Sequence, residues 1–138
     1  MLLLDTNVVS ELMKDAPDMG VLARIDSLPR AELFVTSLTQ AELLYGVALL
    51  PRGKRREAIA SAIDLVFGRL FSDRLLPFDS SAASAFADIA AGRRRVGRPI
   101  SVFDAQIAAV ARSRRATLAT RDIKDFEGCG VELFDPWR

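Results

Sequence analysis

The sequence predicts an α/β fold, with a parallel central sheet of about five strands flanked by helices on both faces. Three observations point that way. Short apolar runs without polar alternation recur at residues 2–4, 33–36, 75–78 and 117–120, the signature of strands buried on both faces. Segments with helical spacing of apolar residues separate these runs, so strand and helix alternate along the chain. The 138 residues, half of them hydrophobic, suffice for one core and read as a single domain over 1–138.

Each element has a local reason. After the strand at 2–4, an amphipathic helix is expected over about 6–13 and a second over about 18–27. Residues 33–36 are β-formers bounded by polar residues, hence the second strand. Residues 38–50 carry helical spacing and stop at Pro51. Ile59, Ile63, Val66, Phe67 and Leu70 recur at helical intervals within 53–70, and 75–78 form the third strand. Asp79 and Ser80 are placed to cap an alanine-rich helix ending near Gly92, leaving 93–99 as a basic loop. Ser101 starts a helix running to about Arg115, 117–120 are the fourth strand, and 132–134 the last. No repeat, low-complexity tract or linker interrupts this order.

Composition narrows the chemistry. With no histidine, Ser-His-Asp and Cys-His catalysis and histidine-based zinc sites are excluded, leaving carboxylates, lysine, hydroxyls, arginine or a metal. The lone Cys129 cannot form an internal disulfide, which fits a reducing compartment, and the cytoplasm is expected. The apolar run at 2–4 is too short for a signal peptide, and no membrane association is expected. Net charge is only +1, yet the basic residues cluster in Lys54-Arg55-Arg56, in Arg93-Arg94-Arg95 with Arg98, and in Arg112, Arg114 and Arg115. These clusters read equally as solvated helix ends and as phosphate contacts.

Four acids stand out. Asp5 directly follows the first strand, and Asp122 follows the fourth after one intervening residue. Glu42 shares a helical face with Leu38, Tyr45 and Leu49, while Asp104 is followed on its own face by Ile107, Ala108 and Ala111. Each also has a purely local role available. Asp5 or Thr6 can cap the first helix, Glu42 can complete a capping box with Thr39, Asp104 has the same spacing from Ser101, and Asp122 can cap a single turn in which Asp125 is a second candidate. Taken jointly, acids at two strand ends and on two inward faces suggest one cluster holding a divalent cation, because buried carboxylates need a partner. An all-oxygen donor set suits magnesium rather than zinc. In open parallel sheets, ligands bind beyond the carboxyl ends of the strands, which is where Asp5 and Asp122 fall.

At these residues the sequence resembles the PIN-domain ribonuclease toxins of toxin–antitoxin pairs, the VapC and FitB-like group. The resemblance is carried by 4–11 (Leu-Asp-Thr-Asn-Val-Val-Ser-Glu), by 39–43 with Gly46, by 103–109 (Phe-Asp-Ala-Gln-Ile-Ala-Ala), by 119–122 with Asp125 and Phe126, and by the closing Pro136-Trp137. It covers essentially the full length. It implies a PIN fold with Asp5, Glu42, Asp104 and Asp122 in the acidic pocket and Thr6, Asn7 and Thr120 supporting it. Some relatives have asparagine where Asp122 stands and an acid where Asp125 stands, so either residue can complete the site.

The expected activity is therefore a magnesium- or manganese-dependent endoribonuclease that hydrolyses phosphodiesters with a metal-activated water. Asp5 and Asp104 would be the main ligands, and Arg93, Arg94, Arg95, Arg98 and Arg121 would contact the RNA backbone. The resemblance further implies a cognate antitoxin with a DNA-binding domain, operator DNA reached only through that antitoxin, and a homodimer; the apolar carboxyl end around Phe134 and Trp137 is a candidate contributor to that interface. Alternatives are a catalytically silent PIN-like binding module, a receiver-type signalling domain and a metal phosphatase. The last is disfavoured because 5–7 lacks the second acid of an Asp-x-Asp nucleophile signature.

Overall fold

The computed structural model describes residues 1–138. Its strands are β1 (Leu2–Leu4), β2 (Leu33–Thr36), β3 (Leu75–Leu76), β4 (Thr117–Ala119) and β5 (Leu133–Phe134). Its helices are α1 (Thr6–Leu12), α2 (Met19–Asp26), α3 (Ser37–Ala48), α4 (Lys54–Leu65), α5 (Ser80–Arg95), α6 (Val102–Ser113) and α7 (Ile123–Phe126). A 3-10 turn, Arg30–Glu32, leads into β2, and a π-helical turn, Val66–Leu70, prolongs α4.

The five strands form one sheet in the order β3-β2-β1-β4-β5, and every neighbouring pair is parallel. The chain builds outward from β1 through β2 to β3, then crosses back to lay β4 on the other side of β1. The strand order therefore reverses between β1 and β4, and the crevice at their carboxyl ends is where such sheets bind ligands. Receiver-type modules order their strands 2-1-3-4-5, so this topology sets that alternative aside.

The unbroken apolar run at 2–4 is explained by the two faces of β1. Leu3 enters one core with Leu118, with Ala82 and Ile89 of α5, with the alanine-rich α6 and with Phe126 of α7. Leu2 and Leu4 enter the opposite core with Val35, with Val8 and Val9 of α1, with Val21 and Ile25 of α2, and with Ile63 of α4. Side chains along a strand alternate faces, so a strand covered on both sides must be apolar throughout. Full burial of a leucine such as Leu3 contributes roughly 1.5–3 kcal/mol. On α6, Ala105, Ala108, Ala109 and Ala111 are all buried, and their small size lets α5 lie close against it.

Several element boundaries differ from expectation, each for a local reason. β3 ends at Leu76, before Pro77, which has no backbone donor to extend a ladder. Gly92 does not end α5. The helix runs to Arg95 and closes in a Schellman motif at Gly97 (φ 73°), with Gly97 N donating to Arg94 O at 3.1 Å and Arg98 N to Arg93 O at 2.9 Å. Arg93, Arg94 and Arg95 are thus a last helical turn rather than a loop. α3 begins one residue earlier than expected, capped by Thr36, whose hydroxyl accepts from Thr39 N at 3.0 Å. The capping box between Thr39 and Glu42 is therefore not formed.

Candidate active site

The first acid is fixed by the end of β1. Asp5 N donates to Ala119 O at 2.9 Å, which continues the β1–β4 pairing by one residue and locks the two strand ends together. The Asp5 carboxylate then takes both roles open to it. Oδ1 caps α1 by accepting from Thr6 N at 2.8 Å, and Oδ2 accepts from the Thr120 hydroxyl at 2.8 Å. The residue is only 5% exposed.

Across the crevice, the segment after β4 is tied to α1. Thr120 Oγ1 accepts from Asp122 N at 3.1 Å, and Asn7 Nδ2 donates to Asp122 Oδ2 at 2.9 Å. Asp122 stands at the N-cap position of α7 but makes no capping hydrogen bond with its side chain; the carboxylate is turned to Asn7 instead. Its local role is thus unfilled, and Asn7 holds it at the cleft. Thr6, Asn7 and Thr120 all lie within this network, as the sequence suggested.

Glu42 reaches the same crevice from α3. Its Oε2 accepts from Thr6 Oγ1 at 3.4 Å, and the Thr6 and Thr39 hydroxyls pair at 3.0 Å. The face it shares with Tyr45 and Leu49 is largely open, since those two are 67% and 68% exposed. The inward apolar stripe expected for α3 is corrected accordingly: only Thr39 and Val47 of this helix are buried, because the helix leans on the sheet through its other side. Asp104 lies on the first turn of α6, where Ser101 Oγ accepts from its backbone N at 3.1 Å and leaves the carboxylate half-buried in the crevice.

The result is one open cleft of about 440 Å³ whose lining includes Asp5, Glu42, Asp104 and Asp122. Asp125 does not line it, facing instead a neighbouring surface hollow that it shares with Asp122. The acids feel one another. Burial pushes the Asp5 carboxyl up to about 6, despite the Thr120 and Thr6 hydrogen bonds, and the charges of Asp104 and Asp122 add to the rise. Asp104 is raised by burial and then by Asp125 and Asp122; Glu42 is raised by partial desolvation and by Asp104. Like charges crowded in a poorly solvated site disfavour ionisation unless a cation joins them.

As the side chains stand, no group of three or more acids is gathered closely enough to hold a metal ion. Their oxygens are parked on Thr6, Thr120 and Asn7. The donor set is nonetheless all oxygen, partly desolvated and anionic, which fits a hard cation that keeps several waters and takes one or two carboxylates directly.

The basic residues divide sharply. Arg121 lines the cleft, its guanidinium 5.0 Å above the Trp137 ring. Arg94 and Arg95 are exposed at the end of α5, and Arg98 is exposed beside Glu127 at 3.4 Å. Arg93 is different, and the expectation that it contacts RNA is corrected. It is buried, with Nε donating to Arg98 O at 2.7 Å and Nη1 to Asp125 O at 2.9 Å and Glu127 O at 3.0 Å. Its donors are committed to carbonyls that anchor the two segments leading to Asp104 and from Asp122.

Sequence reading missed two features of the cleft. Glu11 lines it, is buried, and accepts from Lys14 Nζ at 3.0 Å and Asp18 N at 3.1 Å, which hold its carboxyl below the usual range. Trp137 lines it too, and Phe134 and Trp137 pack against the second core, so the carboxyl end is not a free apolar surface. Both residues fall in motifs that carry the resemblance, 4–11 and the closing Pro136-Trp137, and Glu11 has i,i+3 spacing from Lys14, but none of this placed either of them in the cleft.

A PIN domain family model matches residues 2–128. The chain is 39% identical over 137 residues to the VapC ribonuclease Y4jK of Sinorhizobium fredii, covering 99% of this chain and 98% of that one. It is likewise 39% identical over 137 residues to toxin FitB of Neisseria gonorrhoeae, covering 99% of both. Among solved structures, FitAB bound to an IR36 DNA fragment superposes with a TM-score of 0.92 at 38% identity, covering 100% of this chain and 96% of that one.

Proposed function

The chain belongs to the PIN-domain family, alongside VapC and FitB proteins that it matches over almost its whole length, and from that membership we propose that it is the ribonuclease toxin of a toxin–antitoxin pair, dependent on magnesium or manganese. The observation that carries the reading is the meeting of Asp5, Glu42, Asp104 and Asp122 in one open cleft at the strand-order reversal. In this reading Asp5 and Asp104 hold the cation, while Glu42 and Asp122 complete its shell or position water. A bound cation supplies a nucleophilic water at neutral pH and screens the phosphate charge.

The chain's own residues do the rest. Thr120 and Thr6 keep the Asp5 carboxylate oriented through two short hydrogen bonds, so little rotamer freedom is lost when it is put to use. Asn7 does the same for Asp122. Arg121 at the rim offers its guanidinium to a phosphate, and Arg94, Arg95 and Arg98 extend the basic surface along the RNA backbone. Without histidine, attack by a 2′-oxygen lacks its usual general base, so direct hydrolysis leaving a 5′-phosphate and a 3′-hydroxyl is the expected course.

The partner is an antitoxin that masks the cleft, since clustered carboxylates accept a guanidinium well. By analogy with FitAB on DNA, it would carry the DNA-binding domain and bring this chain to operator DNA. The exposed Leu44, Tyr45 and Leu49 next to Glu42 offer an apolar strip for that antitoxin or for a second copy of the chain in a homodimer. No helix is long and apolar enough to cross a membrane. Sequencing RNA 5′ ends after induction in cells, with Asp5→Asn as control, tests the activity and its specificity together. New 5′-phosphate ends confined to the unmodified protein are expected; the same ends from both proteins, or none from either, refute the proposal.

A further inference from the structure

We propose that Trp137 and Arg121 form a nucleobase-stacking platform, so that an unpaired base beside the scissile phosphate of a single-stranded RNA lies against the guanidinium–indole pair. This inference rests on the ribonuclease reading above and adds a recognition element to it.

Only two hydrophobic residues line the acidic cleft, and both are aromatic: Phe103 and Trp137. Trp137 is held in place on purpose-built contacts. Arg24 Nη1 donates to Pro136 O at 2.9 Å, Trp137 N donates to Asp135 Oδ1 at 2.9 Å, Pro136 is buried, and the indole packs on the second core while still lining the cleft.

Arg121 stands among carboxylates yet forms no salt bridge and no side-chain hydrogen bond. Its partner is the indole face, at 5.0 Å from the ring centroid. Guanidinium and indole are each planar, and the side-chain N–H groups of Arg121 remain free for a ligand. Bases stack on such planes without regard to sequence, while the N–H edge takes a phosphate oxygen. Stacking requires an exposed base face, which a duplex does not offer and a loop or single strand does. A protein partner's arginine would be drawn to the carboxylates and away from Arg121, whereas a neutral base is not repelled there.

The single tryptophan of the chain makes the test direct. Asp5→Asn protein is titrated with a single-stranded oligoribonucleotide, with an abasic strand of equal length and charge, and with an arginine-rich peptide, while Trp137 emission is followed. The base-bearing strand should change the emission and the abasic strand should bind at least about tenfold more weakly, the scale of one lost stack. In the cleaving protein, Trp137→Leu should raise KM by about tenfold with a smaller effect on kcat, and Trp137→Phe should recover most of that loss. Equal responses to the two strands, a response to the peptide alone, or an unchanged KM in Trp137→Leu overturns the platform. Parallel cleavage of the base-bearing strand by the unmodified protein separates the two levels: cleavage with no base-dependent emission change removes the platform only, and no cleavage with magnesium or manganese removes the ribonuclease reading as well.

Discussion

Asp5 and Arg93 are both buried charges, 5% and 6% exposed, yet their surroundings are opposite in kind. Arg93 is met by three carbonyl oxygens and lies 3.5 Å from the Cys129 sulfur, so each neighbour is a neutral dipole aimed at the cation. Asp5 has two donors, but burial raises its pKa in spite of them, and the further charges around it, Asp104 and Asp122, share its sign and add to the rise. A buried charge surrounded by well-placed neutral dipoles is complete and serves the fold. One hemmed in by like charges lacks a counter-charge, which the proposed cation would supply.

That contrast can be broken by experiment. The largest effect should be on catalysis: Asp5→Asn or Asp104→Asn is expected to slow RNA cleavage by on the order of a thousandfold, the scale of several kcal/mol of lost transition-state stabilisation. Chemical denaturation of the metal-free variants should show stability unchanged or higher, because a repelled charge has been removed. Arg93→Met should do the reverse in kind. It is expected to cost about 3 kcal/mol in urea unfolding, since three carbonyls lose their shared donor and the two segments they anchor come loose, while Arg93→Lys should recover part of this.

The next effect is pH dependence. Because the fold raises the Asp5 carboxyl to about 6, its contribution to metal-free stability is fully present below the ordinary aspartate value and is lost as pH rises through about 6. Cleavage needs the ionised form, so at metal concentrations too low to saturate the site it should fall about tenfold per unit as pH drops below about 6 in single-turnover assays. A metal-free protein whose stability rises with pH between 4 and 6 would count against the unpartnered charge. The smallest expected difference concerns the residue left open by the sequence. Asp122 lines the cleft and is held by Asn7, while Asp125 lines only the adjoining hollow, so Asp122→Asn should reduce cleavage about tenfold more than Asp125→Asn.

Much of this was legible in residue order alone. The strand at β2 was read with its observed limits because β-formers are bounded there by polar residues, and the acids at strand ends pointed to the crevice. What escaped were roles set by distant partners. Gly92 looked like a helix stop, but the deciding glycine was Gly97, whose positive φ closes the Schellman turn five residues later. Arg93 reads the same as Arg94 and Arg95 in one dimension; only the fold brings the carbonyls of Asp125 and Glu127 to it, 32 and 34 positions away. Glu42 has capping-box spacing from Thr39, yet Thr36 already supplied the cap, which freed Glu42 for the cleft.

The sequence by itself determined the alternation of strand and helix, the burial of β1 on both faces and the all-carboxylate character of the site. These follow from local apolar patterning and from which side chains are present at all. The tertiary structure alone decided which acids share a cleft, which arginine is structural, and that Trp137 stands beside Arg121 at its wall. Those depend on the return of the chain from β3 to β4, a long-range crossing that places residues more than a hundred positions apart, such as Asp5 and Thr120, within 2.8 Å of each other.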